Sequence, residues 1–130
     1  MRKLSLMMTV VTLTTLQAGA ASAESGLAGT WSGNGYVMPK DGARESVRCR
    51  VRFNKQSSTV YSVAAQCEGS ATSVNQTGEV IEVSGGRYAG DFYNSQYDIS
   101  GRVRVQMNGN HQTVTFSGSR GQGSLSLTRQ

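Results

Sequence analysis

The sequence predicts an all-β fold: an eight-stranded antiparallel up-and-down barrel, with a two-sheet β-sandwich as the alternative. Three observations lead there. Beyond residue 24 no segment repeats apolar residues at the helical period, whereas apolar and polar residues alternate with period two over many short stretches. Gly, Asn and Ser separate those stretches, and 16 Gly against one Pro in 130 residues suits tight turns between strands. Each stretch also has a single apolar face, which must be buried. A meander that closes on itself buries that face and leaves no free strand edge.

The fold is expected to begin after a leader. Met1-Arg2-Lys3 is basic, Leu4 to Leu16 is apolar but rich in Thr, and Gln17 to Ala23 is small and ends in Ala21-Ser22-Ala23. This is the three-part layout of a secretory signal peptide, residues 1–23, and its apolar part is too short to span a bilayer. The domain is then residues 24–130, with a periplasmic or secreted location. Loss of Arg2 and Lys3 removes two charges from the formal net charge of +5. The mildly basic remainder lacks the charge excess of a nucleic-acid binder. With 37% apolar and 16% charged residues, the chain is not of disordered composition.

The first strand is expected over Gly29–Met38, with Trp31, Gly33, Gly35 and Val37 on one face, followed by a turn at Pro39-Lys40-Asp41-Gly42. In the second, Ser46–Asn54, Val47, Cys49, Val51 and Phe53 point one way and Arg48, Arg50 and Arg52 the other. The third, Thr59–Cys67, carries Tyr61, Val63, Ala65 and Cys67 on its apolar face. Cys49 and Cys67 are the only cysteines, and in an oxidising compartment they are expected to form a disulfide. Facing each other, they would staple a hairpin that turns near Ser57–Thr59, contributing about 3 kcal/mol.

A fourth strand is expected at Thr72–Val83, with Gly78 as a candidate break, and a fifth at Tyr88–Tyr93 after a Ser84-Gly85-Gly86-Arg87 turn. The sixth, Tyr97–Met107, alternates best and leads into Asn108-Gly109, a strong two-residue hairpin signal. That turn would pair Met107 with Asn110 and Val105 with Gln112. His111–Ser117 is the seventh strand, Gly118–Gly123 a flexible loop, and Ser124–Arg129 the eighth. An outer-membrane barrel is disfavoured, because the second strand face carries arginines and acids where lipid would require apolar residues.

The opening Leu27-Ala28-Gly29-Thr30-Trp31 resembles the G-x-W start of the calycin superfamily, which includes lipocalins, avidin-like proteins and bacterial metalloprotease-inhibitor barrels. The resemblance implies that Trp31 plugs one barrel end and that a basic residue from the last strands, Arg129 or else Arg120, lies across its ring. A cation over an indole face contributes about 0.5–2 kcal/mol. Ser84-Gly85-Gly86-Arg87-Tyr88 resembles the S-G-x-x-Y loop of bacterial lysozyme-inhibitor barrels. The G-T-W-S-G-x-G and V-R-C-R stretches resemble small secreted proteobacterial proteins that carry no assigned activity.

The candidate sites point to binding rather than catalysis. The Arg48/Arg50/Arg52 row places three guanidinium groups about 7 Å apart along one strand face, where they are either solvated beside acids such as Glu45 and Glu68 or grip an anionic partner. Arg102 and Arg104 form a second row. Tyr88, Tyr93 and Tyr97 are expected to gather around one turn and mark a barrel mouth. A single His, His111, supports no triad, and no set of converging ligands supports a metal site. Asp91 and Asp98 are the one carboxylate pair a hydrolase could use. The leading expectation is a monomeric, non-catalytic protein without cofactor that binds a small ligand inside the barrel or a protein or anionic partner outside. An inhibitor of a secreted or periplasmic hydrolase is the alternative.

Overall fold

A computed structural model describes residues 26–70 and 73–130. The proposed leader, residues 1–23, and its junction at Glu24 lie outside the described residues. The described chain folds into eight strands: β1 (Gly29–Pro39), β2 (Glu45–Lys55), β3 (Val60–Glu68), β4 (Ser73–Ser84), β5 (Arg87–Asn94), β6 (Ile99–Asn108), β7 (His111–Gly118) and β8 (Gly121–Arg129). Every strand pairs antiparallel with the next, and β8 returns to pair with β1, so the sheet is a closed up-and-down barrel. The sandwich alternative is not what forms.

The alternation read from the sequence fixes which side is in. On β2, Val47, Cys49, Val51 and Phe53 are buried while Arg48, Arg50 and Arg52 are exposed. Trp31, Val80, Val105, Val114, Leu125 and Leu127 join them in one interior. Close approach of β1 to β8 explains two glycines on this face. A Cβ at Gly33 would sit 1.9 Å from the Ser126 carbonyl oxygen, and one at Gly35 would sit 2.0 Å from that of Ser124. Any side chain there would push the closing seam apart.

Cys49 and Cys67 face each other across β2 and β3 and are bonded, with Cα atoms 4.1 Å apart. The β2–β3 hairpin turns between Lys55 and Val60, as the pairing of two apolar-face cysteines requires.

Four details depart from the sequence reading. Gly118–Gly123 is not a flexible loop. β7 runs to Gly118, β8 starts at Gly121, and only Ser119-Arg120 turns. The reason is β1, whose Val37, Met38 and Pro39 give Gly123, Gln122 and Gly121 a pairing partner. Gly78 is not a break; it pairs with both Val63 and Phe92, and the irregularity in β4 falls between Glu82 and Ser84. The β6–β7 turn is Gly109-Asn110, so Met107 pairs with Gln112 and Val105 with Val114. Only Gly109 has positive φ there, at 63°. A turn with glycine first needs one such residue, whereas an Asn108-Gly109 turn would need two. The inward set is unchanged, because the shift preserves strand parity. Finally, Tyr97 and Asp98 lie in the β5–β6 turn, where Asp98 adopts φ 50°, and β6 begins at Ile99.

Candidate functional site

The two barrel ends differ, and the difference follows from the residues at each. At one end the segment before β1 folds under the barrel. Leu27 and Trp31 are fully buried there, and the Trp31 Nε1–H donates to the Leu27 carbonyl at 3.0 Å. Arg129, paired with Trp31 across β1 and β8, lays its guanidinium 4.3 Å from the indole centroid. Its Nη1 donates to the Ala28 carbonyl at 2.9 Å, and its Nη2 donates to that of Gly26. Arg129, not Arg120, is therefore the residue across the ring. Tyr61 and Tyr88 add an edge-to-face pair, with centroids 5.5 Å apart, near the start of β3 and β5. Burial raises the Tyr88 phenol pKa above its ordinary value, with smaller contributions from Tyr61 and Glu82. This end is closed.

Among the described residues the opposite end is open. A cavity of about 310 Å³ runs inward from it. Its wall is almost wholly apolar, with Val51, Phe53, Val63, Val103, Phe116 and Leu125 among the residues that form it. Cys67 belongs to the same wall, so the disulfide staples the sheet beside the mouth. The volume lies at the lower end of the range for small-molecule sites.

Polar groups are confined to the rim. Asn94, buried at the end of β5, donates from Nδ2 to Gln76 Oε1 at 2.9 Å and accepts from the Tyr97 backbone N–H at 3.0 Å. Gln76 Nε2 donates to the Thr77 and Tyr93 carbonyls. These bonds tie the β5–β6 turn to β4 and set one edge of the mouth. Arg120, on the β7–β8 turn, also borders the opening. Sequence reasoning missed Gln76 and Asn94. The available signal was a polar residue at inward parity close to a strand end, a place where it can meet both solvent and turn backbone.

The tyrosines do not gather at one turn. Tyr93 and Tyr97 flank the open mouth, where Tyr97 borders the cavity and the Tyr93 hydroxyl donates to Asp98 Oδ1 at 3.3 Å. Tyr88 is buried near the closed end. At about 3.3 Å per residue, the strand from Tyr88 to Asn94 carries the two groups about 20 Å apart. Arg48, Arg50 and Arg52 face outward on β2, beside Asn34, Ser32 and Thr30 of β1 and Glu68, Gln66 and Ala64 of β3. Arg102 and Arg104 face outward on β6, four strands away in either direction, so the two rows stand on opposite sides of the barrel. Asp91 and Asp98 have separate partners: Asp91 lies 3.6 Å from Arg102, and Asp98 takes the Tyr93 hydroxyl. His111 is exposed at the start of β7. Among the described residues no group of three potential metal ligands converges.

The fold and site together define an eight-stranded up-and-down barrel with a plugged base and an apolar interior open at the top. Two solved structures of similar shape are those of designed or redesigned proteins. A redesigned β-barrel, mFAP1, bound to DFHBI superposes with a TM-score of 0.66 at 17% identity, over 79% of this chain and 94% of that one. A de novo designed fluorescence-activating β-barrel gives 0.60 at 20% identity, over 79% and 93%. These likenesses concern the fold. No protein-family model matches the chain, and no curated protein matches it either.

Proposed function

We propose that this protein is a secreted or periplasmic, non-catalytic binder that holds one small apolar ligand in its barrel, and that it is a distant relative of the calycin barrels. The observation that carries the reading is the cavity of about 310 Å³, apolar along its length and open at the end where Gln76 and Asn94 set one edge of the mouth. Such a site gains free energy by removing apolar ligand surface from water, while the rim orients a polar end. The plugged base supports it, since Trp31 and Arg129 make the cavity blind rather than a channel. That redesigned barrels of this shape are bound to DFHBI supports the reading. The two-residue Gly85-Gly86 turn is a tight hairpin rather than a projecting arm, which favours the cavity over an inhibitory loop as the working part.

The test is a fluorescence titration with N-phenyl-1-naphthylamine, which brightens in apolar surroundings. Saturable one-site enhancement is expected. Ala65→Phe, which fills the cavity from β3, is expected to weaken it by at least about tenfold while the thermal melt stays cooperative. Unsaturable enhancement, or equal affinity in both proteins, would show that the probe binds elsewhere. The secreted reading is checked separately by the amino terminus of the exported protein, expected at Glu24.

A further inference from the structure

The outer wall of the barrel has its own charge pattern. On β3, β4 and β5 the outward positions carry one acid each: Glu68, Glu79 and Asp91. On β6, β7, β8, β1 and β2 the outward positions carry no Asp or Glu. They carry five arginines, in the β2 and β6 rows, and between the rows Ser, Thr, Asn and Gln predominate. A groove of about 470 Å³ lies in this acid-free arc. Arg102 and Arg104 of β6 form one side of it and Tyr36 of β1 the other. Thr115 and Ser117 of β7 and Gln122 and Ser124 of β8 form the floor. Arg44 lies over the Tyr36 ring at 3.8 Å.

We infer that this outer groove is a second binding site, on the far side of Phe116 and Gln122 from the cavity, and that it takes a carboxylate-bearing sugar of an acidic polysaccharide. Guanidinium forks match a carboxylate in two parallel hydrogen bonds. The hydroxyl and amide floor offers both donors and acceptors, as a polyhydroxylated ring demands. Asp91 steadies Arg102 from the far side at 3.6 Å without entering the groove. Two other anionic partners fit less well. Base stacking on single-stranded nucleic acid needs free aromatic faces, whereas one face of Tyr36 is taken by Arg44 and Phe116 packs edge-to-face against Phe92. A lipid surface calls for apolar side chains beside the cations, but the large exposed ones are Ile81, Val83, Tyr93 and Tyr97, on β4, β5 and the β5–β6 turn.

The experiment measures binding of polygalacturonate by affinity electrophoresis and calorimetry, with dextran, polyphosphate and phosphatidylglycerol vesicles as comparisons. The wild-type protein is expected to bind polygalacturonate and not dextran. Arg102→Ala/Arg104→Ala is expected to weaken binding by at least about tenfold. Arg48→Ala/Arg50→Ala/Arg52→Ala removes more charge from the opposite side and is expected to weaken it by less than about threefold. Thr115→Glu, which places a carboxylate in the groove, should reproduce the tenfold loss should the double variant fold poorly. Both groove variants should retain N-phenyl-1-naphthylamine binding, so this site and the cavity are judged independently. Absence of polygalacturonate binding overturns the inference. So does an equal or larger loss in the β2 variant, which would mean unspecific charge attraction, or tighter binding of polyphosphate or vesicles in the same groove.

Discussion

The contact between Arg129 and Trp31 can be weighed directly. Arg129→Met keeps an apolar stem but removes the guanidinium from the indole face and from the Ala28 and Gly26 carbonyls. A partly buried cation–ring contact contributes about 0.5–2 kcal/mol, and a hydrogen bond from a charged donor about 1.5–3 kcal/mol. The freed carbonyls lie at the barrel base and recover part of this from water, so a loss of about 2–4 kcal/mol is expected. At about 4–8 °C per kcal/mol for a domain of this size, Tm falls by roughly 10–25 °C. Trp31→Leu costs about 3–5 kcal/mol through lost volume and the lost bond to Leu27. The cavity it leaves is common to both arms of a double-mutant cycle and cancels. The remaining coupling, about 0.5–2 kcal/mol, is the ring contact itself. Urea unfolding of all four proteins, followed by circular dichroism because Trp31 is the only tryptophan, gives the number. A coupling below about 0.3 kcal/mol would refute the stacking argument and leave Arg129 with its carbonyl bonds alone.

Other expectations follow from single contacts. Cys49→Ala/Cys67→Ala lowers stability by about 3 kcal/mol; an unchanged urea midpoint would show that the staple constrains nothing. Gln112 is buried on β7 at inward parity, and neither its Nε2 nor its Oε1 has a hydrogen-bond partner among the described residues. Gln112→Leu therefore raises stability by about 1–2 kcal/mol, and a decrease in the same assay would mean that the amide is satisfied. The raised pKa of Tyr88 sets a sign for alkaline pH. Below about pH 10 the phenol is neutral in both states and its contribution is whole. As pH rises further the unfolded chain ionises first, so stability falls until the folded phenol ionises too. Tyr88→Phe should flatten that fall in urea midpoints taken from about pH 8 to 11.

Strand identity and the cysteine pair were legible because each rests on parity, whereas the Trp31–Arg129 stack came from the resemblance of the G-x-W opening. Parity survives small errors of register. The shifted β6–β7 turn shows this: Val103, Val105, Val114 and Phe116 stayed on one face although their partners moved. What was hidden depends on closure. Gly118–Gly123 has no apolar alternation, so nothing local marks it as strand; β1 supplies the reason from the far end of the chain. Strand direction hid the tyrosines, since neighbours in sequence at the two ends of β5 serve opposite ends of the barrel. The outer groove was invisible for a similar reason. Tyr36 and Arg102 are far apart in the chain and meet on one groove only once the sheet has closed.

That closure also sets an order on folding. Each strand can pair with its predecessor as the chain emerges, but the seam between β1 and β8 joins Trp31 to Arg129 and is sealed by the Gln130 amide on the Thr30 carbonyl. This is the longest loop the molecule has to close, and so the slowest pairing to reward. Until β8 arrives, the nascent sheet is an unrolled strip with a water-exposed greasy side and no interior in which to carry anything. The cavity is therefore a property of the closed barrel alone.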